Sequence, residues 1–516
     1  GISFISANNA CRNAEMEVGE GWDFEKVRKE AEEKWEIELE KIEIHGGSDE
    51  KKKIFYSGLY RSMILPSDRT GENPRWRSYD SGGKLIPYYD DIFTLWSAFR
   101  TTIPLYTLIQ QKRVVDIARS LIDIYENEGF MPDGRSGMYN SIARGGSNGD
   151  MVLSELFLKN LGKGQIDWNL GYKAMLKNAL AEPWSRGSNE GRMLLRFYKE
   201  YGYLPVVKSF ENWNRYRDQG MCSKTMEYTT NDFAIACVAK GLKKKDDYEK
   251  FKQRSNYWRY LWDSNTTVDG VQGFIMPIHL EETDKSLYSV FRTSTYTDFY
   301  EGSFWEYSLN VPHDVNMLIK FARGPREFEK RLNITFSNKD YNSNYFSIQH
   351  IPSLFHPNLY HYIGKQYKSV QVIRDIMKKK FGTGKSGLPG HDESGVFSCW
   401  YIFNAIGIYP IGGQDIYLIN SPHFTNTTIY LSPTTTFSIL ANNLSSQNIY
   451  IQSAKLNGWD LKNTWFRHGD ISKGGILELE MGNEVSKVWG VLEEDKSDAK
   501  EWFGKSKIVA PPSASD

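Results

Sequence analysis

The 516 residues are more than one ordinary core organises, so the length predicts two or more domains or one large toroidal fold. Lysine plus arginine and aspartate plus glutamate number 64 each, and the absence of net charge argues against binding nucleic acid or anionic membrane through charge. Aromatic residues make up 14% of the chain, enough for a large aromatic core with rings left to line a sugar-binding cleft.

In chain order, Val27, Ala31, Trp35, Leu39 and Ile42 recur at spacings of three and four and predict an early amphipathic helix. "HGGSDE" breaks it, and Ser48 and Asp49 suit the cap of the next helix. From residue 51 to 410, helical periods alternate with Gly-, Pro- and Asn-rich connections, and strand-like alternation is scarce. After residue 410 the texture becomes short β-rich runs split by turns, such as "NTTIYLS" and "GILELEMG". The expected organisation is a linker helix region at 1–50, a helical domain at 51–410, a C-terminal β-rich subdomain at 411–508 and a disordered tail at 509–516.

No apolar stretch reaches the roughly 20 residues that span a bilayer. Gly1 opens the chain with no visible signal peptide, as in a mature form or a fragment. Cys11, Cys222, Cys237 and Cys399 form no C-x-x-C pair, so neither a zinc site nor a disulfide scaffold is expected. Acceptor sequons at Asn265, Asn333, Asn426 and Asn443 modestly favour a secretory route.

Special residues gather in loops between helices. "YYDDIFTLWSAFRTT" carries Asp90, Asp91, Trp96 and Arg100; "GFMPDGRSG" carries Asp133 and Arg135. "ARGGSNGD" carries Asn148 and Asp150, and "FYEGSFWEYSLNVPHD" carries Glu301, Trp305, Glu306, His313 and Asp314. Asp90, Asp91 and Asp150 suit helix caps as well as binding, and Arg100 and Arg135 suit internal ion pairs as well. The Gly-rich loops match neither a P-loop nor a dinucleotide turn, and no nucleophile elbow is present. What remains is carboxylates, rings and arginines, an inventory suited to glycoside hydrolysis by an acid and a second carboxylate. A further acidic turn, "GLPGHDESGVFSCWY", places His391, Asp392 and Glu393 before an apolar run, where they either cap a helix or act at a pocket mouth.

Together with "GISFIS", "GGSNGDMVLSELFLK" and "EYTTNDFAIA", these motifs resemble glycoside hydrolase family 92, the calcium-dependent exo-acting α-mannosidases, in the family's order and over essentially the whole chain. The resemblance implies an (α/α)6 toroid with a C-terminal antiparallel β-structure, a mannose-containing glycan as substrate, and a secreted or periplasmic-type location. It also implies a preceding β-sandwich domain, here missing or supplied by a separate chain, that completes the pocket. By resemblance Glu301 is the general acid, and Glu393, with Asp392 beside it, occupies the base turn. Trp96, Arg100, Asp133, Arg135, Asn148, Asp150, Trp305 and His313 would bind substrate.

Three positions depart from the family pattern. Glu393 stands where Asp is usual, Ser97 replaces the Asp of "LWDTFR", and His350, Ile351, Pro352 and Ser353 replace the calcium-binding "NEPS". A hard cation needs oxygen ligands, which Ile does not supply, leaving Glu393 as a candidate ligand. Three expectations therefore stand side by side: an α-mannosidase with calcium, a hydrolase that dispenses with metal, and an impaired member serving as a glycan- or protein-binding module.

Overall fold

The computed structural model describes residues 1–19, 21–141, 145–183, 190–207, 220–283, 286–291, 298–491 and 511–512. Most of the tail expected to be disordered lies outside them.

The early amphipathic segment forms a helix over Phe24–Leu39, capped by Asp23, whose carboxylate accepts the Lys26 N–H at 3.1 Å. It stops before Ile42. The next four residues alternate apolar and polar, and Ile42–His45 becomes a strand with Ile42 and Ile44 buried. Ser48 caps the Asp49–Ser62 helix as expected, accepting from the Lys51 N–H.

Helices dominate the body. Met221–Gly241 is buried along nearly its whole length, which explains why its apolar residues show little one-sided pattern. Gly149–Leu158 and Trp168–Leu180 pack on it, and Gln111–Glu128 packs on those two, to form one core. A larger core joins Asp49–Ser62, Val315–Phe321, Val396–Ile406 and the C-terminal strands. Ile351–Ile363 is a 3₁₀ helix, buried throughout, whose internal Pro357 lacks the N–H group an α-helix needs.

Strands inside the body are more numerous than the sequence pattern suggested. Trp262–Val268 and Val271–Ile275 form a hairpin through Asp269 and Gly270, both at positive φ, a turn signal of the D-G type. Ile278–Thr283 pairs with Ser286–Phe291. The C-terminal sheet has six strands and is antiparallel except where Thr435–Asn442 runs parallel to Gly475–Gly482. Its first edge is Ile42–His45, with Ile42 opposite Ile429, so the N-terminal segment is sewn into the C-terminal sheet. Among the described residues no helix is long and apolar enough to cross a membrane.

Candidate active site

The acidic turn enters the Val396–Ile406 helix through three successive positive-φ residues, Glu393, Ser394 and Gly395. A Cβ at Gly395 would lie 2.6 Å from the Ser62 Cα, so only glycine fits there. Asp392 caps the helix: one oxygen accepts the Phe397 and Ser398 N–H groups, each at 3.0 Å, and the other accepts the Ser398 hydroxyl at 2.6 Å. Arg61 stands 3.5 Å away. Burial raises the Asp392 pKa, and these donors offset it only in part. Both oxygens are spent on the helix end, which is a structural assignment for a residue expected in catalysis.

The backbone around Glu393 is held from across the chain. Its carbonyl accepts from the Ser97 hydroxyl at 3.4 Å, the Ser394 carbonyl from Thr102 at 3.1 Å, and the Val396 carbonyl from Thr101 at 2.9 Å. Those donors belong to the Leu95–Ala98 turn of helix and its continuation.

Glu301 also sits in the left-handed region, at φ 44°. Its loop is fixed on both sides. The Tyr300 N–H donates to the Ser223 hydroxyl at 2.8 Å, and the Tyr300 carbonyl accepts from the Tyr307 hydroxyl at 2.7 Å. The Tyr300 ring meets Trp96 edge-on, with centroids 5.3 Å apart. The residue before Glu301 and the backbone of Glu393 thus meet the same short helix, Tyr300 at Trp96 and the Glu393 carbonyl at Ser97. Non-glycine residues in this region cost on the order of 1–3 kcal/mol each and concentrate where function requires them.

Trp96 is fully buried, and its indole N–H has no hydrogen-bond partner among the described residues. Arg100 pairs with Glu227 at 2.6 Å, and Asn310 reaches the same carboxylate oxygen. Asp133 accepts from Thr94 at 3.0 Å and Asn148 at 2.8 Å, and its carbonyl accepts the Leu95 N–H. Asp133 and Asn148 therefore position the Trp96 turn from behind.

Four expected binding residues have their polar groups engaged internally. Arg135 bonds Tyr88, Glu128 and the Met138 carbonyl. Asp150 bonds Ser147 and Arg192, and burial pushes its pKa up to about 7. Trp305 donates to Thr335 at 2.8 Å. His313 lies between the Ser255 carbonyl and Thr230, and burial lowers its pKa. The even choice left open for Asp150 and Arg135 is thus met by internal partners.

Glu306, in the same loop motif as Glu301, completes a capping box with Ser303. Its fully buried carboxylate accepts the Ser303 and Ser347 N–H groups, each at 2.9 Å, the Ser353 hydroxyl at 2.8 Å and His350 Nδ1 at 2.9 Å. Burial would raise its pKa, but His350 and the other donors outweigh this and lower it. Burial would lower the His350 pKa, yet the bond to and charge of Glu306, with the Glu301 charge behind them, hold it above the ordinary imidazole value. Positions 350 to 353 therefore present N–H and O–H donors around one carboxylate, plus the buried side chain of Ile351. That set does not fit calcium, which requires several oxygen acceptors. Glu227 opens the "EYTTNDFAIA" motif, but only the three-dimensional pairing with Arg100 shows what its carboxylate meets.

The profile described as "Glycosyl hydrolase family 92 catalytic domain" matches residues 9–483. A protein of Arthroderma benhamiae named an uncharacterized secreted glycosidase is 33% identical over 518 residues, which cover 96% of this chain and 61% of that protein. The chain thus spans less than two thirds of that relative's length. Among solved structures, the family GH92 inverting mannosidase BT2199 of Bacteroides thetaiotaomicron is similar at TM-score 0.83 and 25% identity, over 100% of this chain and 68% of that one. The GH92 α-mannosidase BT3965 of the same organism is similar at TM-score 0.82 and 26% identity, over 99% and 64%. With the profile covering nearly the whole length, the chain belongs to glycosyl hydrolase family 92.

Proposed function

We propose that the chain is an inverting exo-α-mannosidase-type hydrolase, built on an (α/α)6 toroid, that acts on the non-reducing end of mannose-rich glycans outside the cell or in a secretory or periplasmic-type compartment. Glu301 gives its proton to the leaving glycosidic oxygen as the anomeric C–O bond breaks. Glu393 takes a proton from the water whose oxygen joins the anomeric carbon from the opposite face. An inverting pair needs about 6.5–9.5 Å between carboxyl groups to admit that water. The observation that carries this reading is that two left-handed acidic residues sit in turns held against one short helix, Glu301 following the Tyr300 ring on Trp96 and Glu393 through its carbonyl on Ser97. A preceding β-sandwich domain or separate chain completes the pocket. No step is routed through calcium, because positions 350 and 351 do not suit it.

A second reading, a glycan-binding module without turnover, is favoured by Ile351 and by the extra methylene of Glu393 relative to aspartate. Misplacement by about 1 Å can cost on the order of a hundredfold in rate. One assay separates the two. With α-1,2-mannobiose and aryl α-mannosides, the enzyme reading expects mannose release that survives chelator and is lost in Glu301→Gln. Mannose binding with no release refutes it in favour of the module.

A further inference from the structure

The acceptor sequons at Asn265, Asn333, Asn426 and Asn443 look alike in the sequence, but the fold treats them differently. An N-linked glycan is bulky and hydrophilic. Its asparagine has to stand on the surface, in backbone free to turn outward, with the sequon hydroxyl within reach.

Two of the four are closed by the fold. Asn426 begins a strand whose backbone is paired on both sides, with His45 across one ladder and Leu440 across the other. Its side-chain oxygen is buried, and so is Thr427 beside it. A sequon locked into two ladders does not bend outward as a loop does. Asn333 lies in the Pro325–Thr335 helix, where its side-chain oxygen accepts from the Tyr360 hydroxyl at 3.2 Å and from Lys368 at 3.1 Å. Its sequon hydroxyl belongs to Thr335, which is buried. That hydroxyl accepts the Trp305 indole N–H at 2.8 Å and donates to the Arg331 carbonyl at 2.9 Å, so both of its roles are taken inside the core.

The other two are open. Asn265 stands on a bulge: between the pairs Asp263–Phe274 and Thr267–Gln272, residues 264–266 oppose the single Gly273. The bulge is held by Asp263, whose carboxylate accepts the Asn265 N–H at 2.9 Å and the Thr266 hydroxyl at 2.6 Å. Asn265 and the sequon residue Thr267 are both exposed. Asn443 follows the Thr435–Asn442 strand in a turn, at φ 61°, a conformation asparagine tolerates better than most residues. Asn443 and its sequon residue Ser445 are exposed. The Asn448 amide closes the turn on the Asn443 carbonyl at 2.8 Å. The Asn443 side-chain amide donates to Glu480. Glycosylation replaces one of its two N–H groups and leaves the other for that bond.

We propose that Asn265 and Asn443 are the positions at which this chain accepts N-linked glycans, and that Asn333 and Asn426 stay bare. The donor is an oligosaccharide linked to a lipid through pyrophosphate. The asparagine amide nitrogen bonds to the anomeric carbon of its first sugar, and the bond from that carbon to the pyrophosphate oxygen breaks. The nitrogen gives up one proton, and nothing is oxidised or reduced. The assignment rests on the secretory location proposed above and is independent of the hydrolytic chemistry.

The experiment secretes the full chain from a eukaryotic host and removes its glycans with an amidase that converts each glycosylated asparagine to aspartate. Peptide mapping by mass spectrometry then reads the four positions. Conversion is expected at Asn265 and Asn443 and absent at Asn333 and Asn426. Asn265→Gln and Asn443→Gln should each lose the mass of one glycan, and the double variant should migrate with the deglycosylated parent. No conversion at Asn265 or at Asn443, or equal conversion at Asn333 or Asn426, overturns the assignment. If the secreted chain is modified as expected but cleaves no α-mannoside, the attachment sites stand and the hydrolase reading fails.

Discussion

His350 donates to a buried carboxylate from a side chain 36% exposed, so one end of the ring is open to solvent while the other is fixed by Glu306. Replacing it with alanine removes one of four donors from a carboxylate that water cannot reach, at an expected cost of about 1–3 kcal/mol in chemical denaturation. The pH dependence has a definite sign. The raised His350 pKa contributes stability that is full below the unfolded value of 6.5 and is lost as pH rises through the folded value. The lowered Glu306 pKa contributes stability present above its unfolded value of 4.5 and lost as pH falls through the folded one. The advantage of the parent over His350→Ala should therefore peak between about pH 4.5 and 6.5 and shrink on either side; a pH-independent difference would refute the ion pair. The sequence made half of this visible. Ser303 and Glu306 show a cap by their spacing, whereas His350 reaches Glu306 across 44 residues and Glu227 reaches Arg100 across 127, distances no local pattern encodes.

The acidic turn shows how one short element carries two duties. Asp392 faces the backbone of the helix it starts, and Glu393, one residue on, adopts the left-handed conformation. Asp392→Ala should cost about 0.5–2 kcal/mol, as loss of a helix cap does, and Asp392→Asn should recover most of that because it keeps an acceptor. Matched stability of Ala and parent, with activity alone abolished, would instead make Asp392 catalytic. The sequence left both roles open for this turn, since acids before an apolar run are compatible with either. Elsewhere, β-branched alternation at Ile42–His45 overrode a helical period that extended into it, and the Asp269-Gly270 turn signalled a hairpin inside a region that otherwise reads as helix.

Across the whole molecule, the first strand of the chain closes one edge of the C-terminal sheet, while the helices between carry the candidate site. Composition and period pointed to a helical body and a β-rich end, both of which the structure has, whereas the proposed ring arrangement rests on the resemblance to the family. Site residues were harder to read, because a buried Asp150 or Arg135 has the same sequence signature whether it meets a sugar or an internal partner. The central claim is that Glu301 and Glu393 act as an inverting pair across one sugar. It is tested most directly by following the anomeric proton signal of the first mannose released from an aryl α-mannoside, in the parent and in Glu301→Gln. The account predicts β-mannose first from the parent and a large loss of rate in the variant. α-Mannose appearing first, or a variant as fast as the parent, would contradict it.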